Sequence, residues 1–107
     1  MKFEIKDSFW KVILTKDKKA LRVNGKVCAG ATHYKEQAIY IDKGLKLSQT
    51  IRVLIHELTH VVIYKTQVNP SELYTEEDVC EVMALYGGYI ISKAQEIIKY
   101  LLEAEYA

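Results

Sequence analysis

The chain has 107 residues, of which 50% are hydrophobic and 27% are charged, and its formal net charge is +1. This size and balance are typical of one globular domain, so we expect residues 1–107 to form a single domain. The near-neutral charge offers no electrostatic footprint for nucleic acid or for an anionic membrane. No apolar run approaches the roughly 18 residues of a membrane span, and the N-terminus has no signal-peptide core. We therefore expect a cytoplasmic protein that binds neither nucleic acid nor membranes.

Strand patterns dominate the first 45 residues. Phe9 to Thr15 is rich in β-branched and aromatic residues, which favour strands. Asn24-Gly25 is a dipeptide typical of a two-residue hairpin turn. The predicted strands and hairpin arms are 9–15, 22–23, 27–29, 30–34 and 38–42.

From residue 48 the hydrophobic period changes to that of an amphipathic helix, which we place at about 48–66 with Ser48 as its N-cap. A second helix is predicted at about 75–104, where Thr75 and Asp78 resemble a capping box. Gly87-Gly88 predicts either a kink in this helix or a close packing contact. The apolar residues expected on the buried face of its first half are Val79, Val82, Met83 and Tyr86. The order of elements predicts an α+β fold, with a small antiparallel or mixed sheet packed on two or three helices.

The segment His56-Glu57-Leu58-Thr59-His60 is an H-E-x-x-H motif inside the first predicted helix. Positions i and i+4 share one helix face, so the two imidazoles can bind one metal ion. Glu57 lies at the edge of that face, where it can act as a general base toward a metal-bound water. We therefore expect His56 and His60 to be zinc ligands and Glu57 to be the catalytic residue.

A catalytic zinc usually takes a third protein ligand. Glu77 and Glu81 share a face on the first turns of the second helix, at the margin of its apolar stripe. Acids in a first helical turn are also favoured by the helix dipole alone. Cys80 and His33 are weaker alternatives, so the residues alone leave the third ligand open.

The segment 50–60, TIRVLIHELTH, resembles the active-site helix of the ImmA/IrrE family of zinc metallopeptidases. These are small gluzincin-like domains common in bacteria, prophages and other mobile elements. Residues 30–34 and 38–42 are similar to the family's glycine-led strand and its I-x-I strand before the helix. Residues 77–84, EDVCEVMA, are similar to the family pattern E-x-x-A-N-x-F-A, and this similarity implies Glu77 as the third zinc ligand. Three of its positions differ from the family pattern, so the ligand could instead fall one turn later, at Glu81.

The resemblance implies a minimal zincin-like fold, a bound Zn²⁺ and the activity of an intracellular zinc endopeptidase. The substrate would be a protein or peptide, with a phage or mobile-element regulator as the family's suggestion. We expect this substrate to lie extended along a sheet edge, and we place that edge at strand 38–42. Candidate residues for stabilising the developing oxyanion are His33, Tyr34, Tyr74 and Tyr86. The alternative is a non-catalytic metal-binding or protein-interaction domain that keeps the zincin fold.

Overall fold

The computed structural model describes residues 1–66 and 75–104 as a small mixed sheet packed against two helices, an α+β arrangement. The α+β class and the mixed sheet predicted from the sequence are confirmed. The strands are β1 (Lys2–Ile5), β2 (Ser8–Thr15), β3 (Arg22–Val23), β4 (Lys26–Val27), β5 (Gly30–His33) and β6 (Ala38–Asp42). The helices are α1 (Leu47–Thr66) and α2 (Glu76–Ala104).

Four strands form the main sheet in the order β1-β2-β6-β5, while β3 and β4 form a separate hairpin. β2 and β6 are parallel, and the other neighbours in the main sheet are antiparallel. The prediction that strand 38–42 forms the sheet edge is wrong, because β6 lies between β2 and β5. Within the described part of the chain the edge strands of this sheet are β1 and β5, and β5 packs against α1.

The β1–β2 hairpin is an element that the sequence analysis did not predict. β1 alternates exposed and buried residues, with Phe3 and Ile5 buried. Lys6 and Asp7 connect the strands with φ of 45° and 63°, the positive values that a two-residue hairpin turn of type I′ requires. Residues other than Gly, Asn and Asp are uncommon at positive φ, so a turn that contains Lys6 is not predicted from the sequence.

The core lies between one face of the main sheet and the two helices. The strand register places Phe3 opposite Trp10 and Val12 opposite Ile39, so these four side chains share one sheet face. The helix side chains buried in the same cluster are Leu54, Leu58, Val61, Val62, Ile90, Ala94, Ile97 and Leu101.

The N-cap of α1 is Lys46, and the prediction of Ser48 is wrong by two positions. The Lys46 carbonyl accepts the first helical bond, from the Thr50 N–H at 2.9 Å. The Gln49 side chain reaches back and accepts a hydrogen bond from the Lys46 N–H at 3.1 Å. This is the reciprocal half of a capping box.

The predicted capping box opens α2. The Thr75 N–H donates to Asp78 Oδ2 at 2.8 Å, and the Asp78 N–H donates to Thr75 Oγ1 at 3.3 Å. The helix then runs through Gly87 and Gly88 to its end at Ala104 without interruption. Neither described helix is both long and apolar enough to cross a membrane.

The buried face predicted for the first half of α2 is only partly correct. Val82 is buried, but Val79 and Met83 are 56% and 51% exposed. The apolar stripe of α2 enters the core cluster from Tyr86 onward, where the helix passes the sheet. The 3.6-residue period therefore identified the apolar stripe but not which part of it is covered.

Candidate metal centre

Helix α1 places the two motif histidines side by side on its exposed face. Their Nε2 atoms are 3.2 Å apart and their ring centroids are 4.9 Å apart. Two imidazoles bound to one tetrahedral zinc, at about 2.0–2.1 Å each, would have nitrogens about 3.3–3.4 Å apart. The 3.2 Å separation, at which the two rings also share a hydrogen bond, is therefore close to the spacing that one metal ion requires.

Glu57 occupies the opposite environment, although it directly follows His56. Its side chain faces the interior, and the residue is 6% exposed. Glu57 Oε1 accepts a hydrogen bond from Thr32 Oγ1 at 2.9 Å, while Oε2 lies 3.7 Å from His56 Nε2. One carboxylate oxygen is thus held by β5, and the other is next to the histidine pair.

The approach of β5 to α1 depends on Gly30. The register pairs Gly30 with Ile41 and Thr32 with Ile39, and both isoleucines are fully buried. Residues 30 and 32 therefore belong to the sheet face that looks toward the helices. A Cβ at Gly30 would overlap Val53 Cγ1, so a side chain there would force the two elements apart.

In the described part of the chain, His56, Glu57 and His60 form a group whose potential ligand atoms all lie within 4.8 Å of one another. This group could hold a metal ion. Neither Glu77 nor Glu81 belongs to it, and both lie exposed on the first turns of α2. The assignment of Glu77 as third ligand, with Glu81 as its alternative, stays a prediction.

The two weaker ligand candidates lie elsewhere. Cys80 is exposed on α2. His33 Nε2 forms a hydrogen bond with the Ala20 carbonyl at 2.8 Å, and its Nδ1 lies 3.8 Å from a Glu36 carboxylate oxygen. His33 therefore packs on the side of the sheet away from α1.

Among the candidates for an oxyanion donor that lie in the described residues, Tyr34 is the one that the structure brings near Glu57. Burial raises the pKa of Tyr34 above its ordinary value, and the negative charge of Glu57 raises it further. The Tyr34 ring packs on Tyr64, with centroids 4.6 Å apart, and Tyr64 lies one turn after His60. Tyr86 lines a different cleft, and Tyr74 lies outside the described residues.

A cleft of about 350 Å³ opens beside the histidine pair. Its wall residues on α1 are Arg52, Val53, His56, Glu57 and His60, and those facing them are Val23, Cys28, Ala29 and Gly30. A second cleft, of about 430 Å³, is bordered by Thr32, His33 and Tyr34, and Val23 borders both clefts. The β3–β4 hairpin thus borders both clefts along β5, and α1 borders the first of them.

The sequence analysis missed Thr32, Gly30 and Arg52 as residues of the site. Gly30 and Thr32 are two positions apart and therefore share a strand face, which is a detectable pattern. What joins them to Glu57 is the packing of β5 on α1, and local spacing does not reveal that contact.

Comparisons of the chain with protein-family models, with curated proteins and with solved structures give no match. The assignment of a function therefore depends on the geometry of the site and on the resemblance of its motifs.

Proposed function

We propose that the protein is a zinc-dependent endopeptidase of the ImmA/IrrE type, with a zincin-like fold, that hydrolyses a peptide bond in a cytoplasmic protein. One observation carries the proposal: two histidine nitrogens 3.2 Å apart lie next to a buried glutamate that β5 holds in place. A helix with two surface histidines needs no such glutamate. A zinc peptidase needs both.

His56 and His60 would hold the zinc ion, with Glu77 from α2 as the proposed third ligand. When bound, zinc supplies the Lewis acidity that acidifies a water molecule and polarises a carbonyl group. Neutral imidazole nitrogens are suitable zinc donors, and both rings are exposed and accessible to an incoming ion.

Glu57 would act as the general base and then as the general acid. Its Oε2 would take a proton from the attacking water and pass it to the leaving amine of the cleaved peptide bond. Oε2 is the suitable oxygen because Oε1 is engaged by the Thr32 hydroxyl. The hydrogen bond from Thr32 also fixes the carboxylate plane, so the base is oriented before the substrate binds.

Tyr34 would donate a hydrogen bond to the oxyanion that develops on the scissile carbonyl. The ordinary pKa of a tyrosine, 10.0, already keeps the Tyr34 hydroxyl protonated at neutral pH, and partial burial and the charge of Glu57 raise this pKa further. A protonated phenol is the form that can donate.

The substrate would add as an extended strand to the open edge of β5. The Asp42 N–H donates to the Ala29 carbonyl at 2.9 Å, which identifies Ala29 and Asp42 as a hydrogen-bonded pair of the ladder. Because such pairs alternate along an antiparallel ladder, Ala31 also bonds to β6, while Gly30 and Thr32 direct their backbone groups outward. These outward groups can bind a peptide backbone by β-augmentation.

The first test is the metal content of protein purified without added metal, with the exposed acid Glu76→Ala as a matched control on α2. We expect about one zinc per wild-type chain, loss of the metal in His60→Ala, and retention in Glu76→Ala. Loss in Glu77→Ala with retention in Glu81→Ala would identify the third ligand. No metal in the wild type, and no uptake on titration with zinc, would contradict the proposal.

A second candidate function is a metal-binding domain without catalysis. It is favoured by one observation: within the described residues the potential ligand that joins the histidine pair is Glu57 itself, and a Glu57 that binds the metal is not free to act as the base. Peptide hydrolysis by wild-type protein loaded with zinc, compared with Glu57→Gln, separates the two. Glu57→Gln should keep the metal and lose activity by a factor of a hundred or more, roughly the share of a general base. Equal behaviour of both proteins would favour the non-catalytic role.

A further inference from the structure

Helix α1 carries a permanent positive charge one turn before the first motif histidine. Arg52 precedes His56 by four residues, so the two side chains lie on the same broad face of α1. Both line the 350 Å³ cleft, in which Val53 and Val23 supply apolar walls. Arg52 is thus a wall of the same cleft that contains the candidate metal centre.

The Arg52 guanidinium makes no hydrogen bond and no ion pair with the described parts of the chain, residues 1–66 and 75–104. Among the described residues, the one acidic side chain that lines this cleft is that of Glu57, whose Oε1 is already engaged by Thr32. A guanidinium beside apolar walls binds a carboxylate well, because two parallel N–H donors match its two oxygens. The charge in the cleft therefore favours an anionic group of the substrate.

The direction of β5 along α1 shows on which side of the scissile bond this group would lie. Gly30 lies against Val53, and Tyr34 at the other end packs on Tyr64, so β5 and α1 run in the same direction. An added strand pairs more favourably when it is antiparallel. The C-terminal part of such a substrate would point toward Gly30, and hence toward Arg52.

The distance along the helix limits the position further. Four residues of α1 rise about 6 Å, which equals roughly two residues of extended peptide. The group that contacts Arg52 would therefore belong to the first or second residue after the scissile bond.

We propose that Arg52 is a specificity-determining residue that binds a carboxylate just C-terminal to the cleaved bond. The preferred substrate then carries Asp or Glu at that position. A substrate that instead ends there in a free C-terminal carboxylate would make the cleavage that of a carboxypeptidase rather than an endopeptidase. This inference rests on the proposed peptidase function and names its substrate class.

The test has a cleavage arm and a binding arm. In the cleavage arm, zinc-loaded protein digests a peptide library made from a proteome, and mass spectrometry locates the cleaved bonds. Peptides are then synthesised in pairs that differ by Asp against Asn, and by a free against an amidated C-terminus. In the binding arm, fluorescence anisotropy measures how Glu57→Gln binds the same labelled pairs, so the readout does not require turnover.

We expect acidic residues to be enriched at the first or second position after the cleaved bond. In Arg52→Met the preference for the Asp over the Asn peptide should fall about tenfold in kcat/KM, and also in affinity when the substitution is combined with Glu57→Gln. Arg52→Glu should invert the preference toward Lys and Arg. Lys99→Met, which removes an exposed charge from α2, is the matched control and should keep the preference. The amidated pair shows whether the carboxylate is a side chain or the chain end.

The outcomes separate the two proposals. Glu57-dependent cleavage without an acidic preference, or with a preference that survives Arg52→Met, overturns the role of Arg52 and leaves the peptidase intact. Binding of acidic peptides through Arg52 without any turnover supports the role of Arg52 and overturns the peptidase. If the protein neither binds nor cleaves these peptides, both proposals are overturned.

Discussion

Replacement of Gly30 by alanine tests how β5 and α1 together build the site. An ideal Cβ at Gly30 would overlap Val53 Cγ1, lie 3.2 Å from Glu57 Cγ and lie 3.4 Å from the Tyr40 carbonyl oxygen. The last two contacts are tight or ordinary, so the overlap with Val53 sets the cost. Neither element can retreat freely, because Gly30 pairs with Ile41 of the central strand β6 and α1 is anchored in the core.

Overpacking of this kind costs about 1–3 kcal/mol. The smaller backbone entropy of alanine in the unfolded chain offsets about 0.4–1 kcal/mol of that cost. We therefore expect Gly30→Ala to lower the free energy of unfolding by about 1–2 kcal/mol, which for a domain of this size is a fall in Tm of roughly 5–10 °C. Urea denaturation followed by circular dichroism measures the effect.

A double-mutant cycle identifies the cause. In the Val53→Ala background the overlapping methyl group is gone, so Gly30→Ala should cost little, and the coupling energy should be about 1–2 kcal/mol. Gly25→Ala is a control, since its cost arises from a φ of +81° in the hairpin turn and should be independent of Val53. If Gly30→Ala costs the same with valine and with alanine at position 53, the close approach of β5 to α1 is not what constrains Gly30.

Three further predictions concern other parts of the molecule. Thr32→Val leaves the buried Glu57 carboxylate without its hydrogen-bond donor and should lower the free energy of unfolding at neutral pH by about 1–2 kcal/mol. Thr32→Ser retains a hydroxyl and should keep most of the wild-type stability. If Thr32→Val is as stable as the wild type in urea denaturation, the hydrogen bond is contradicted. Gly88→Ala should raise stability by about 0.5–1 kcal/mol, because Gly88 is exposed within α2 and no atom lies near the new methyl group; a lower Tm in calorimetry would contradict this. Stability should decline as the pH rises above the ordinary tyrosine pKa of 10.0, because burial raises the pKa of Tyr34 and Tyr89 in the folded protein, so the unfolded chain ionises first. Urea titrations between about pH 8 and 11 measure this loss, which should shrink in Tyr34→Phe, and a flat profile would count against the burial of both phenols.

The parts of the fold that could be predicted are those determined by local spacing. The period of α1, the capping box of α2 and the hairpin turn at Asn24-Gly25 each depend on residues within a few positions of one another. The same is true of the histidine pair, because an i, i+4 spacing on a helix already places the two rings together. Neither the identity of the metal nor hydrolysis follows from that spacing alone.

The parts that could not be predicted depend on pairing between distant segments. The composition of strand 38–42 is compatible with an edge strand and with a central strand. Only its parallel pairing with β2 shows that it lies inside the sheet. Val79 and Met83 continue an apolar stripe that is covered only where α2 meets the sheet. Lys6 adopts a positive φ, although lysine is not a residue type that predicts one.

The candidate site combines residues placed by local spacing on α1 with residues placed by the distant pairing of β5. Substitutions should therefore be able to impair one set and leave the other intact. His56 and His60 are exposed on α1 and depend mainly on the helix itself. The Glu57 carboxylate is oriented by Thr32, and the shape of the cleft depends on the close packing that Gly30 allows. Both therefore depend on β5. A substitution that weakens the packing of β5 on α1 should thus disturb the orientation of Glu57 and the shape of the cleft, while the histidine pair still binds metal. Removing a histidine should abolish metal binding while the core keeps its stability. A site whose metal binding and core stability always changed together would need a different architecture from the one described here.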